Sequence, residues 1–354
     1  MVQKREKQQP GKNSKFIKTL RGTKSRIPPI WLMRQAGRYL PEYREIRSQA
    51  NGFLSLCYTP DLATEVTLQP IKRYDLDAAI LFSDILIVPH ALGQDVKFVE
   101  GDGPRLEPIE DAQSLAQLDL SRTQEKFSIV CEAVSKIRKA LTAKKALIGF
   151  CGAPWTVATY MVAGRGTTDQ APARSFAYKD PKTFARLIDM ITETSFDYLS
   201  QQIEAGVNAV QVFDSWAGTL PDNEFDRWVV RPTKQLVSAL NTRYPDIPVI
   251  GFPRAAGEKT YNYAISTGVQ ALGCDTSMSL EFMKDELANK GIPLQGNLDP
   301  LLLVIGGKAM ENRINEILEA MRGKPFIFNL GHGIVPQTPP ENVAHLVETV
   351  RGFK

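Results

Sequence analysis

Histidine and cysteine are scarce in this chain. There are three of the first, His90, His332 and His345, and four of the second, Cys57, Cys131, Cys151 and Cys274. The cysteines are widely separated, and no His/Cys group has metal-ligand spacing. A zinc ribbon and a disulfide scaffold are therefore excluded, and no metal site is expected. Scattered free thiols suit a reducing, cytoplasmic setting. No apolar run reaches the ~18 residues that a membrane-spanning helix needs. The first residues lack the apolar core of a secretory signal. No G-x-G-x-x-G follows the first apolar run, which counts against a dinucleotide-binding fold.

What is present is ordinary in bulk and uneven in detail. Apolar residues at 43% and charged residues at 23% describe a globular chain. The net charge of +4 hides an asymmetry. Residues 1–26 hold nine Lys/Arg against Glu6, so this leader carries +8 and the rest −4. Composition makes residues 1–14 a solvated, dispensable basic leader and residues 15–354 one catalytic domain. Phe16, Ile17 and Leu20 form a short apolar stripe at helical spacing that can dock on that domain. A nucleic-acid-binding role for the leader is the non-enzymatic alternative, against which the acidic remainder and the absence of a binding module both speak.

Short apolar runs alternate with helical patterns along the chain. The runs lie at 29–33, 77–82, 146–150, 207–213, 247–252, 269–274, 292–295 and 325–330. Near-continuous apolar runs are the mark of strands buried on both faces. Between them, Asp180-Pro181 opens a helix with the stripe Phe184, Leu187, Ile188, Ile191, Tyr198, Leu199, closed by Gly206. Ser121 with Gln124 reads as a capping box for a second helix, and Ile314, Ile317, Leu318, Met321 mark a third. Repeated strand–helix alternation predicts a single-domain (β/α)8 TIM-type barrel, with its cleft at the C-terminal ends of the strands.

The residues at those ends are polar. Arg34 and Arg38 follow the first run, Ser83-Asp84 the second, and Gly152-Ala153-Pro154 the third, with Tyr160 beyond. Asp214-Ser215, Arg254, Asp275-Thr276, Asn297/Asp299 and His332 follow the others. Two arginines at a strand exit form a planar, two-handed anion clamp; spacing alone leaves a solvated turn equally open. Asp84, between apolar runs, is costly to bury unless paired or used. It is either a working carboxylate or the partner of a barrel arginine. His332, Tyr160 and Ser215 have equally plain alternatives as a core histidine, a packed helix residue and a turn cap. Asp214 reads as a structural acid that holds its loop. Arg47 continues the basic face as a further anion contact. His90 reads as a loop residue, and His345 as a surface or packing residue of a C-terminal helix.

The stretch Met33-Arg34-Gln35-Ala36-Gly37-Arg38-Tyr39-Leu40-Pro41-Glu42 resembles the N-terminal signature of the uroporphyrinogen decarboxylases. The resemblance continues in order at Phe82-Ser83-Asp84-Ile85-Leu86, Gly152-Ala153-Pro154-Trp155-Thr156, Phe213-Asp214-Ser215-Trp216, Gly296-Asn297-Leu298-Asp299-Pro300 and Asn329-Leu330-Gly331-His332-Gly333. It implies a homodimeric enzyme that removes the acetate carboxylates of a porphyrinogen without any cofactor. Asp84 and Arg34 would be catalytic. Arg34, Gln35, Ala36, Gly37, Arg38, Asp84, Tyr160, Ser215 and His332 would bind the substrate. The nearest rival on the same fold is a zinc-dependent methyltransferase, which needs converging thiolate and histidine ligands.

Overall fold

The computed structural model describes residues 10–99 and 102–354. Seven strands run parallel in one curled sheet. In chain order the strands of the structure are β1 (Ala78–Ile80), β2 (Val96–Val99), β3 (Gly103–Leu106), β4 (Ala146–Gly152), β5 (Ala209–Asp214), β6 (Val249–Pro253), β7 (Ala271–Gly273), β8 (Leu294–Leu298) and β9 (Phe326–Leu330). The sheet order is β1-β4-β5-β6-β7-β8-β9, and β2 and β3 form a separate antiparallel pair. Every residue of β4, β5, β6, β8 and β9 is buried, as expected of strands covered on both faces.

The first of the eight expected strands is not a ladder strand. Residues 29–33 lie between the edge strands β9 and β1 but make one parallel bridge, Ile30 to Phe328. Side chains replace the missing ladder. Asp77 Oδ2 accepts from Ile30 N at 2.7 Å, Gln35 Oε1 from Leu32 N at 3.1 Å, and Asn329 Oδ1 from Met33 N at 2.9 Å. The physical reason lies in part in Pro29, which has no N–H to give to a ladder. Hydropathy reported this segment's burial correctly, since residues 30–33 are buried. It carries no information about where the backbone groups pair.

Long helices pack outside the sheet. Pro181–Ala205 starts where Asp180 Oδ1 accepts from Thr183 N at 3.1 Å, and its whole expected stripe is buried. The capping box read at Ser121 does not form. Asp119 lies two residues earlier and takes both Ser121 N and Ser121 Oγ, at 2.9 and 2.7 Å. A turn at Leu120–Arg122 results, before the helix Thr123–Ala140. A carboxylate competes well with the Gln124 carboxamide for the Ser121 N–H.

Of the basic leader, residues 1–9 lie outside the described residues. Residues 10–14 are seated on the barrel. Asn208 Nδ2 donates to the Pro10 carbonyl at 3.0 Å, Lys12 pairs with Asp246 at 2.8 Å, and Ser14 caps the helix Lys15–Leu20. Phe16, Ile17 and Leu20 are buried. Asn208 stands at the start of β5, so this seat lies at the end of the barrel opposite the polar rim. Deletion of residues 1–13 strands the buried Asn208 amide, a loss of about 1–3 kcal/mol. Thermal unfolding of the truncated protein should show this as a lowered Tm, while turnover by folded molecules stays at the full-length value. An unchanged Tm would mean that the seat adds nothing.

Candidate active site

The rim at the strand C-termini is assembled by backbone pins. Asn329 Oδ1 holds Met33 N, and Ile334 N donates to the Met33 carbonyl at 2.9 Å, so Arg34 leaves a turn clamped on both sides. Arg34 itself has φ +60°, a left-handed conformation rare for a residue with a side chain. Its stem crosses Gly333, where a Cβ would collide with Arg34 Cγ and Cδ. Gly331 is equally constrained, against the backbone of Thr276. The two glycines that flank His332 thus let strand β9 and the first turn close on each other.

Asp84 follows β1 and is enclosed by protein yet open to the cleft. Its Oδ1 accepts Leu86 N at 2.8 Å. Among the described residues it has no ion pair within 4 Å, so it is no buried arginine's partner. Burial raises its pKa above the usual carboxylate range, while the Leu86 bond and the nearby Arg34 pull the other way. Arg34 is lowered, first by burial, with Asp84 and Tyr160 opposing and Arg38 and Arg254 adding to the effect. Asp84, Tyr160, Arg38 and Arg254 thus all lie within electrostatic reach of Arg34, and Asp84 and Tyr160 within reach of each other.

Tyr160 comes from the helix Pro154–Ala163 after β4. Burial raises its hydroxyl, with the neighbouring Trp216 opposing. The Trp216 indole N–H is buried without an aligned acceptor. Trp216 is held by a relay: Thr156 Oγ1 donates to Asp214 Oδ1 at 2.5 Å and accepts Trp216 N at 3.1 Å. Asp214 is wholly buried and pushed by desolvation up to about 7, which fits a loop-holding acid. Ser215, half-buried at the rim, makes no hydrogen bond through its hydroxyl and so caps nothing among the described residues.

His332 also has no hydrogen-bond partner among the described residues. Burial lowers it to about 4, and Arg34 and Arg254 add to this. It is therefore neutral near pH 7, able both to donate and to accept. The N–H groups of Ala36, Gly37 and Arg38 have no partner among the described residues.

Gln35 is not brought to the cleft. It is 1% exposed, and its amide is committed to Leu32 N and, at 3.2 Å, to the Ala78 carbonyl. It ties the first segment to β1 instead of facing a ligand. Arg47, on the helix Pro41–Gln49, forms no ion pair among the described residues and lies near Tyr43 and Cys57. His90 sits in the short helix Ile87–Ala91, not in a loop, and bonds Tyr58 at 2.9 Å; His345 bonds Glu311 at 2.8 Å.

Sequence reasoning gave no role of their own to Asn329, Asp275 and Thr156, whose work is to hold rim loops. Their signal was available: a polar residue in or beside a buried strand or helix needs a partner. Cys151 and Cys274, the rim cysteines, are buried. Desolvation pushes both thiols up, Cys151 to about 12, so neither offers a ready thiolate.

Comparison with known proteins bears on this geometry. The profile of the family described as uroporphyrinogen decarboxylase (URO-D) matches residues 11–353. The uroporphyrinogen decarboxylase of Chelativorans sp. (strain BNC1) is 53% identical over 337 residues, 95% of this chain and 98% of the relative. That of Agrobacterium fabrum (strain C58) is 52% identical over 95% of this chain and 97% of its own. Among solved structures, a methyltransferase from Methanosarcina mazei superposes with a TM-score of 0.74 at 20% identity, covering 95% of this chain and 96% of that one, a likeness of fold. With the family's profile spanning the whole barrel and relatives at half identity end to end, the chain belongs to the uroporphyrinogen decarboxylase family.

Proposed function

We propose that the chain converts uroporphyrinogen III to coproporphyrinogen III by removing the carboxyl groups of its four acetates as CO2, without a cofactor. One observation carries the reading. A carboxylate without an ion pair, Asp84, lies within electrostatic reach of the Arg34 guanidinium, which in turn feels Arg38 and Arg254, and none of these three arginines forms an ion pair among the described residues. Such a site is complementary to a ligand with acidic N–H groups at its centre and many carboxylates at its edge.

The pyrrole serves as its own electron sink. A proton adds to the pyrrole α carbon next to the ring carbon that bears the acetate, which leaves an iminium-like cation conjugated to that carbon. The bond to the carboxylate then breaks, its electron pair neutralises the ring, and CO2 departs. The exocyclic carbon takes a proton to become a methyl group as the ring proton is released. Asp84, an acceptor only when ionised, collects pyrrole N–H groups and stabilises the cation where it develops. Arg34 and the loop 36–38 hold carboxylates, and neutral His332, Ser215 and Tyr160 supply uncharged hydrogen-bonding groups. In the same reading the enzyme is a cytoplasmic homodimer. Leu301 and Ile305, 61% and 71% exposed on the helix after β8, are the apolar side chains offered to a second copy.

Anaerobic incubation with uroporphyrinogen III, followed by oxidation and separation of the porphyrins by carboxyl number, tests the reading. Stepwise products ending at the tetracarboxylate are expected, and chelator-treated protein should match untreated protein. Activity that vanishes with EDTA and returns with zinc would transfer the chain to the methyltransferase reading.

A further inference from the structure

Arg254 is held firmly in the rim by its backbone, although its side chain forms no hydrogen bond or ion pair among the described residues. Its N–H donates to the Asp214 carbonyl at 3.0 Å, and its carbonyl accepts Gly218 N at 3.1 Å. The next residue, Ala255, has φ +57° and donates its N–H to Asp275 Oδ2 at 2.6 Å. Gly218 must lack a side chain because a Cβ would strike the Ala255 carbonyl. A left-handed alanine is a strained conformation, kept only where the surroundings impose it.

The guanidinium that this frame presents is half-buried and has no hydrogen bond or ion pair among the described residues. The nearby acids are already engaged. Asp275 gives its Oδ2 to Ala255 N, and its Oδ1 to Ser277 N and Oγ at 2.7 and 2.6 Å. Asp214 is buried against Thr156. Arg254 lies within electrostatic reach of another cation, Arg34, and of neutral His332. A partly buried guanidinium beside a second cation, with no ion pair among the described residues, points to an anion from outside.

We propose that Arg254 is a further substrate-binding residue that anchors a propionate carboxylate, one that stays on the macrocycle through every round of decarboxylation. This inference rests on the decarboxylase reading above and deepens it. Arg34 is within electrostatic reach of both Asp84 and Arg254, whereas Asp84 feels Arg34 and not Arg254. Arg254 therefore serves the macrocycle's edge, with Asp84 at its centre. A guanidinium on the reacting acetate would stabilise the charge that must disappear into CO2, raising the barrier. A propionate is present in all four rounds, so a fixed anchor is useful in each.

The test compares wild type, Arg254→Gln and Arg254→Lys. Wild-type turnover of uroporphyrinogen III is measured first. Its absence would overturn the decarboxylase reading together with this inference. With wild type active, Arg254→Gln should bind coproporphyrinogen III, which carries only propionates, about tenfold or more weakly under anaerobic titration. KM for uroporphyrinogen III should rise in step, with a smaller effect on kcat, and Arg254→Lys should recover part of the affinity. The melting temperature of ligand-free Arg254→Gln should not fall, because the change removes repulsion between unpaired cations. Unchanged affinity for coproporphyrinogen III beside an active wild type would sink the propionate anchor alone. So would a lowered melting temperature with unchanged KM, which would make Arg254 a structural residue.

Discussion

Asp84→Asn is expected to fold, to bind porphyrinogen, and to lose about 10²-fold or more in kcat, the scale on which one preorganised charge-stabilising group works. Asparagine keeps the shape and can still accept Leu86 N, so the turn after β1 should survive. What disappears is the negative charge beneath the developing pyrrolic cation. Stability should not fall with it. Burial raises the wild-type Asp84 pKa in the folded state, so ionising it opposes folding from the ordinary carboxylate range up to the raised value and beyond. Removal of the charge relieves that cost. Loss of activity with unchanged or higher Tm is the pattern of a residue held for function. The same shift has a kinetic consequence. On kcat/KM, which reports the free enzyme, the acid limb should lie above the usual aspartate value and should vanish in Asp84→Asn. Near-normal turnover by the folded variant would remove Asp84 from the chemistry.

Asp84 stood out in the sequence because a carboxylate between two apolar runs has few bland explanations, and among the described residues it forms no ion pair, although Arg34 lies within electrostatic reach. The barrel was legible because strands covered on both faces are written as unbroken apolar runs. Other features were not, for physical reasons. Residues 29–33 are as apolar as a ladder strand, yet Asp77, Gln35 and Asn329 take over much of their pairing, and side-chain substitution for a ladder leaves no periodic trace. The hairpin β2/β3 has mixed burial and lies outside the barrel sheet, so it shows no run to count. Gln35 illustrates a different limit. Membership of a motif does not separate the residues that meet a ligand from those that hold the motif in place. Only burial and bonding do that, and Gln35 is among the second kind. Ser121 failed as a cap because Asp119, a stronger acceptor, stood two residues before it.

Arg34→Lys and Gly333→Ala are expected to damage the same interaction by different routes. Lysine keeps the charge but loses the two-handed fork, so kcat/KM should drop on the order of 10- to 10³-fold with the fold intact. Gly333 is a subtler site. Its φ lies outside the left-handed region, so alanine meets no backbone objection there. The obstacle is the Arg34 stem, whose Cγ and Cδ occupy the space a methyl group would need. The side chain can yield only by swinging its guanidinium away from Asp84 and the cleft, because the Arg34 backbone is clamped through Met33 to Asn329 and Ile334. Gly333→Ala should therefore lose activity in the direction of Arg34→Lys with little change in Tm. The decisive measurement is the double variant. If Gly333→Ala acts through Arg34, adding it to Arg34→Lys should cost much less than it does in wild type, since contacting residues couple and independent ones add. Fully additive losses would separate the glycine from the arginine and show that the crossing at Gly333 does not position the clamp.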